Sequence, residues 1–494
     1  MSDEQVPERR LQGVDRRQML LRPVVVEELI GDDHPARAIW EFVGRLDLSR
    51  YVEQVRSVEG AAGRPAWDPH LLISIWIYSY SRGVSSARAI ERLCEYDPAY
   101  QWLTGMQTIN AHTLSDFRVD HGAELHDLFV QVLGLLNAEG LITLERVMQD
   151  GTRVRASASS SRFHRRSRIE SCLEEAREAV EALEAAGEED TTLRLRRARE
   201  RAAREKQERL ESALKQFEQL KASKSRVERV STTDPEARIM KQPEGGAAPS
   251  YNVQIVTDAA HSLIVEIEPT QAGSDYRQLT PALERLERSL QRQPSQVVVD
   301  GGYISSDNIV AMAQRGVELI GPEPANTAPG NRQKSFRHRG VSPEYETAHF
   351  RYEPASDSCL CPQGKRLNYE AKYHMDGMMR YRYLAKAEDC RSCPAKRFCC
   401  PGSRYGRSIE RSETMPALSN YRLKMKGAEA RAIYRTRSQV AEFPNLWIKT
   451  KLALRQFRLR GLAKVRSECL WAALTYDIQQ WIRLRRRPMA LASA

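Results

Sequence analysis

Apolar positions in the first third of the chain recur at helical spacing. Ala38-Ile-Trp-Glu-Phe-Val43 and the stretch from Leu125 to Leu136 follow that period. Asp68-Pro69 ahead of Leu71 is an N-cap with proline at the first helical position. Ser85-Ser-Ala-Arg-Ala-Ile-Glu91 and Thr113-Leu-Ser-Asp-Phe-Arg118 are each expected to open a further helix with a Ser or Thr cap. An all-α N-terminal domain is therefore expected over 15–145, after a disordered tail over 1–14. Short helices on short turns suit a helix-turn-helix reader, but they suit any small helical domain equally.

The period then changes. Arg146-Val-Met-Gln-Asp150 reads as a short strand ending in a carboxylate. Tyr251–Thr257 and Ser262–Glu268 alternate around a turn at Asp258–His261, which predicts an antiparallel hairpin. Gln296-Val-Val-Val-Asp300 fits a strand covered on both faces, and Gly316–Gly321 fits another. Amphipathic helices are expected over Tyr276–Arg292 and Asn308–Arg315. The fold class is then α/β, a mixed sheet flanked by helices, over 146–321. Within it, residues 168–228 carry 14 basic and 15 acidic side chains at helical spacing, interrupted at Gly187–Thr192. They read as a helical-hairpin insert, with Asp190 or Thr191 capping its second helix. Residues 322–420 are rich in proline, glycine and aromatics and hold six of the nine cysteines. Residues 421–494 return to helix, with Trp447, Trp471 and Trp481 among the apolar positions.

Charge changes the picture at the end of the chain. Residues 401–494 hold 20 Lys and Arg against 6 Asp and Glu, a net of +14, whereas the whole chain of 494 residues carries +11. A basic block of that density suggests a polyanion partner, most often nucleic acid, with a solvated helical surface as the alternative. The longest apolar run, Leu71-Leu-Ile-Ser-Ile-Trp-Ile-Tyr78, is too short to span a bilayer, and the first ten residues lack the apolar stretch of a signal peptide. A cytoplasmic protein with reduced thiols and no membrane partner is expected.

Two Asp-Gly pairs, Asp150-Gly151 and Asp300-Gly301-Gly302, follow short apolar strands. Asp-Gly is a common turn dipeptide, but neighbouring strand ends of one sheet can bring two carboxylates together. Such carboxylates repel unless a divalent cation lies between them, and hard oxygen ligands suit Mg²⁺ or Mn²⁺. A pair of such ions about 3.5–4 Å apart serves phosphodiester chemistry. A second constellation lies in Cys359, Cys361, Cys390-Arg-Ser-Cys393 and Cys399-Cys400. A C-x₂-C pair among further cysteines is a zinc pattern, with Cys361, Cys390, Cys393 and Cys399 the best four for a structural Zn²⁺; a cluster of small packing residues is the alternative.

These motifs, taken in order, resemble a bacterial insertion-sequence transposase of the DDE class, from about residue 15 to residue 485. The resemblance rests on Gly63-Arg-Pro65, Ser85-Ser-Ala-Arg88, Thr113–Arg118, Asp150-Gly-Thr-Arg-Val-Arg-Ala-Ser157 and Thr233-Asp-Pro-Glu-Ala-Arg238. It continues through Tyr251-Asn-Val-Gln254, Asp300-Gly-Gly-Tyr303, Cys361-Pro-Gln-Gly-Lys365 and Tyr434–Gly461. It implies an RNase H-like catalytic core and a Cys-rich insert, with Asp150 and Asp300 as the first two catalytic, metal-binding carboxylates. The third is Glu442, from a motif of Tyr434, Arg437, Glu442 and Lys449 in which one extra residue separates Arg437 from Glu442. Pro444 then requires a helix that kinks or begins there. Glu429 and Glu468 are the rival carboxylates. The implied activity is metal-dependent cleavage and strand transfer at the inverted-repeat ends of an element. The implied partners are double-stranded DNA, both terminal inverted repeats and target, and at least a second copy of the chain. Arg437, Lys449, Lys451, Arg455, Arg458 and Arg460 are the expected phosphate contacts, with Arg88 and Arg118 in end recognition. An inactive or domesticated DNA-binding derivative, or a nuclease of the same fold without strand transfer, are the alternatives.

Overall fold

The computed structural model describes residues 17, 19, 23–55, 57–58, 65–185, 193–223, 228–322, 340–375, 378–413 and 416–486. The 1–14 tail, Gly63 and Arg64, and the 187–192 interruption with its Asp190 or Thr191 cap lie outside the described residues. No helix among the described residues is long and apolar enough to cross a membrane.

Among the described residues, seven α-helices make the N-terminal unit: α1 (Pro35–Val43), α2 (Ser49–Glu53), α3 (Pro69–Ser81), α4 (Ala87–Tyr96), α5 (Pro98–Thr104), α6 (Ala111–Asp120) and α7 (Gly122–Ala138). The Asp68 side chain accepts from His70 N and Pro69 opens α3, while Asp97 with Pro98 repeats the device for α5. The cap of α6 is Asn110, whose side chain takes the Thr113 amide; Thr113 itself lies inside the helix. Ser86 precedes α4 without a side-chain cap bond. Ser86 thus stands at the cap position expected for α4, whereas Asn110 corrects the Thr cap expected for α6. The apolar run on α3 is buried on every side, from Leu71 to Tyr80, because it is the central helix of this unit.

Strand β1 (Arg146–Arg155) is longer than its apolar half. Asp150 therefore sits mid-strand and not at a strand end, because backbone pairing with β5 continues from Val147 to Arg155. After β2 (Phe163–His164) come α8 (Arg166–Ala185) and α9 (Leu193–Ala222). These two pack antiparallel, joined by Arg177–Glu211 at 3.2 Å and Arg204–Glu184 at 2.9 Å. The hairpin has its own small apolar core around Ile169, Leu173 and Leu210.

The main sheet then assembles from β4 (Arg238–Lys241), β5 (Ala247–Asp258), β6 (Leu263–Thr270), β7 (Gln296–Val298) and β8 (Glu318–Ile320); β3 (Val230–Ser231) pairs with β2 instead. Strand β1 is antiparallel to β5 and parallel to β7, β7 is parallel to β8, and β4 and β6 both pair antiparallel with β5. Residues 249–258 of β5 are buried without a break, as are Val297, Val298 and Val299, so both faces of the sheet are covered. Helices α10 (Leu279–Leu290) and α11 (Ser306–Arg315) connect the strands on the β7 side.

The cysteine-rich stretch is a second, antiparallel sheet of β9 (Arg351–Glu353), β10 (Ser358–Leu360), β11 (Arg366–Met375), β12 (Met378–Ala385) and β13 (Ser408–Glu413), which irregular composition hid. Two short helices, α12 (Ala387–Arg391) and α13 (Lys396–Cys399), lie between β12 and β13. Its core, around Leu367, Tyr383 and Ile409, is separate from the main one.

The chain closes with α14 (Pro416–Lys426), α15 (Ala428–Arg435), α16 (Arg437–Thr450) and α17 (Leu462–Arg486). Helix α16 runs through Pro444, which corrects a helix beginning there. Residues 451–461 are not helical: Ala453 and Gly461 take left-handed φ of 56° and 84°. The segment lies along the end of β1 instead, with Arg155 N donating to Arg455 O at 3.1 Å and Phe457 N to Arg155 O at 2.8 Å. Helix α17 packs on α3, α7 and β6, so one continuous core joins the helical unit, the sheet and the C-terminal helices.

Candidate active site

The register of β1 and β7 positions the two aspartates. Met148 lies opposite Val298 at the end of that parallel pair, so Asp150, two residues further along β1, and Asp300, two residues past the end of β7, both lie just beyond the last paired residues. Asp300 follows β7 at the start of a turn and accepts the Gly302 amide at 2.8 Å; Asp150 accepts the Gly151 amide at 3.0 Å. Burial pushes the Asp150 carboxyl up to about 6; Arg437 opposes that rise, and Asp300 and Asp275 add to it.

Helix α16 crosses β1 and β5 and brings three side chains to this point. Asn445 donates to Asp150 Oδ2 at 2.9 Å. Arg437 lies 3.6 Å from Asp150 Oδ1 and 3.7 Å from Glu442 Oε1, and so bridges the two carboxylates. Glu442 is the outermost, with its side chain 59% exposed against 17% for Asp150. The rival glutamates lie elsewhere. Glu468 is fully buried on α17 and accepts the amides of Arg458 and Leu459, which fixes the 451–461 segment. Glu429 sits in the first turn of α15.

The Tyr251-Asn-Val-Gln254 motif serves both sides of the site. Asn252 Nδ2 and Gln254 Nε2 each donate to Asp275 Oδ1 at 2.7 Å. Gln254 Oε1 accepts from Tyr303 at 2.6 Å and from Gln149 Nε2 at 3.0 Å. Tyr251 faces the other way and donates to Asp234 Oδ1 at 2.8 Å. Asp234 also takes the Gly461 amide at 3.2 Å, and Glu236 takes that of Leu462 at 2.7 Å. The Thr233–Arg238 motif thus holds the start of α17 in place, a structural role. Sequence reasoning missed Asp275 and Asn445, which carry no motif of their own; a signal for Asn445 is its position one helical turn after Glu442.

Two polar atoms beside Asp150 are buried and have no hydrogen-bond partner, Asn445 Oδ1 and Arg437 Nη1. Oxygen atoms left in this way beside carboxylates fit a hard cation or its waters. Among the described residues, no three His, Cys, Asp or Glu side chains are arranged to hold a metal ion. Cys361, Cys390, Cys393, Cys399 and Cys400 line one small cavity, with Arg407 beside it. Burial pushes the Cys399 thiol up to about 12, with Arg407 opposing and Cys400, Cys390 and Cys361 adding to it. Cys94 and Cys469 are buried singly, and Cys172 packs in the hairpin core.

The expected DNA contacts divide. Arg88, Lys451, Arg455, Arg458 and Arg460 are exposed. Three of these are anchored through Nε: Arg455 to Lys449 O at 3.3 Å, Arg458 to Ser85 Oγ at 2.7 Å and Arg460 to Ser157 O at 3.1 Å. Lys449 is partly buried, and desolvation lowers its pKa, with Glu244 opposing and Arg455 adding. Arg118 corrects the expectation for it. It is only 6% exposed, donates to Ser85 O at 2.8 Å and stacks over Trp76 at 4.7 Å, so it braces the helical unit and does not face a duplex.

Two family models match the chain. The Transposase domain (DUF772) model covers residues 24–120, and the Transposase DDE domain model covers residues 360–482. Together they support an insertion-sequence DDE transposase. Glu442 lies inside the second match, whereas Asp150 and Asp300 lie between the two. Among solved structures, the chain is similar to the cryo-EM structure of a piggyBac transposase synaptic complex with hairpin DNA. That similarity has 8% identity and a TM-score of 0.30, and covers 92% of this chain and 73% of that one. No curated protein matches.

Proposed function

We propose that this transposase cuts and joins DNA at the inverted-repeat ends of its element, through a divalent-metal site on an RNase H-like core. The observation that carries the reading is Asp150 on β1, with Asp300 just past the end of its parallel neighbour β7 and close enough to raise the Asp150 pKa, and with Arg437 linking Asp150 to Glu442 on the helix above. The strand order supports the RNase H-like assignment, with β6-β5-β1 antiparallel and β1-β7-β8 parallel. Asp150, Asp300 and Glu442 would hold Mg²⁺ or Mn²⁺, and the unpartnered Asn445 Oδ1 beside Asp150 supports that fit.

The bound ions would activate a water or 3′-hydroxyl and stabilise the leaving oxygen at phosphorus. The chain's own side chains supply orientation and charge. Asn445 fixes the rotation of the Asp150 carboxylate through Oδ2. Arg437 partly neutralises Asp150 and ties Glu442 to it. Lys449 and the anchored arginines 455, 458 and 460 offer phosphate contacts on double-stranded DNA near the site. Exposed Arg88 serves end recognition. A second copy of the chain is needed because two ends must be held together. The five-cysteine cavity would take one structural Zn²⁺ through Cys361, Cys390, Cys393 and Cys399.

The test is Mg²⁺-dependent cleavage of a duplex carrying the terminal repeat. Asp300→Asn and Glu442→Gln should each abolish cutting and leave DNA binding largely intact. Normal cutting by Glu442→Gln would show that another group is the third carboxylate.

A further inference from the structure

The stretch from Cys390 to Arg407 holds five Lys and Arg and no Asp or Glu. It comprises the end of α12, all of α13 and the turns around them, folded about the cavity that five cysteines line. Its small residues face inward: Ala395, Cys399 and Cys400 are buried. Larger side chains between them face out. Phe398 is 42% and Tyr405 77% exposed, and Arg391, Arg397 and Arg404 are exposed as well. Among the described residues, none of these three arginines has an ion-pair partner. The nearest preceding acids in sequence are Glu388 and Asp389, and Asp389 already faces Lys365 at 3.7 Å.

The backbone that carries these rings is tied down. Arg407 is buried, and it donates from Nη1 to Cys399 O at 3.1 Å and from Nη2 to Tyr345 O at 3.0 Å. Its backbone amide donates to Cys390 Sγ at 3.3 Å. Gly406 takes a φ of 97°, and a Cβ there would stand 2.7 Å from Ala385 O, so glycine lets the loop close on the end of β12. Ser403 Oγ donates to Gly406 O at 2.6 Å across the same turn. Tyr405 is thus fixed through its neighbours while its ring meets solvent. On α13 the Arg397 guanidinium lies 4.5 Å from the centre of the Phe398 ring. An exposed ring on a fixed loop has little freedom left to lose on binding.

We propose that the outer face of residues 391–405 is a second DNA-contact surface, and that it takes a strand with unpaired bases. The proposal rests on the DNA reading above and adds the form of DNA that this surface holds. Arginines without ion pairs suit phosphates of any strand. A projecting tyrosine ring selects further. In a paired duplex each base face is covered by its neighbours, whereas an unpaired base offers its face for stacking. Surfaces that bind single strands combine these two side-chain chemistries. The run from Arg455 to Arg460 differs, because its one ring, Phe457, is buried, and it offers phosphate contacts alone. The Cys-rich unit has its own core, so this surface is built independently of the carboxylate site.

The test uses the full chain, a labelled oligothymidine strand and a blunt duplex of the same length. Binding is read by fluorescence anisotropy at several salt concentrations, without added Mg²⁺. Tyr405→Ala should weaken strand binding about tenfold and leave duplex binding within about twofold of wild type. Tyr405→Trp should restore strand binding, because it returns a ring to the same place. Replacing Arg397 and Arg404 together by Ala should weaken strand binding and flatten its salt dependence. Wild-type strand affinity in Tyr405→Ala overturns the proposal. Equal losses on strand and duplex show that the ring does not select unpaired bases, which also overturns it. A wild-type chain that does not bind the strand overturns it outright. If Tyr405→Ala does not fold by circular dichroism, Tyr405→Leu, which keeps bulk and removes the ring, carries the same comparison. Mg²⁺-dependent cleavage of the terminal-repeat duplex, the test of the catalytic reading, does not enter this measurement, so either reading can fail without the other.

Discussion

Replacing Asp150 by Asn should stabilise the metal-free protein while it destroys the site. The Asp150 side chain is 17% exposed, and burial pushes its carboxyl from 3.8 up to about 6. The folded value lies above the unfolded one, so the unfolded chain releases its proton first as pH rises. Stability contributed at this residue therefore falls between about pH 4 and pH 6 and stays at its lower level above that range. A shift of about two units corresponds to roughly 3 kcal/mol, and relaxation of neighbours such as Arg437 should reduce the observed effect to about 1–3 kcal/mol. Asn has nearly the shape of the protonated acid and retains an oxygen for the Asn445 donor. The assay is urea unfolding of both proteins in EDTA, from pH 5 to pH 8. The Asn variant should be more stable at pH 8, and its advantage should hold down to about pH 6 and shrink below that, toward pH 5. Added Mg²⁺ should stabilise the wild type and leave the variant unchanged. A variant equally destabilised at every pH would refute the reasoning, because it would mean that the ionised carboxylate is a net structural asset.

Other perturbations separate recognition, charge and scaffold. Arg118→Ala should cost about 3 kcal/mol in thermal or urea unfolding, since it leaves fully buried Glu468 with one fewer neighbouring cation and uncovers Trp76; a surface-like loss below about 0.5 kcal/mol would contradict its bracing role. Replacing Arg455, Arg458 and Arg460 together by Ala should weaken binding to every duplex about equally and flatten the dependence on salt, because phosphate contacts release counterions. Arg88→Ala should instead reduce the preference for true ends over random DNA, measured by competition titration. Elemental analysis of carefully reduced protein should find about one zinc per chain; none would leave the five cysteines of the cavity as packing residues.

The sequence by itself determined what local patterns encode. The Asp68-Pro69 cap, the alternation of Tyr251–Thr257 against Ser262–Glu268, and the three buried valines before Asp300 each specify one element and its buried face. Short apolar runs ahead of each dipeptide also drew attention to both Asp-Gly pairs, although only Asp300-Gly301 follows a strand end. Tertiary structure alone decided the rest. Strand β1 runs on past Asp150 because β5 pairs with it through Arg155, although the polar side chains of Arg153 and Arg155 hide the strand pattern. The basic run after Lys449 reads as helix, yet buried Glu468 and the end of β1 hold it open. Arg118 looks like a surface cation until α17 covers it with Glu468. Asn445 reaches Asp150 from 295 positions away, and Asp275 is set beside the site by two amides of a neighbouring strand. Periodicity records which face of an element is buried. It carries no information on which distant backbone or charge will meet that face, and those meetings build this site.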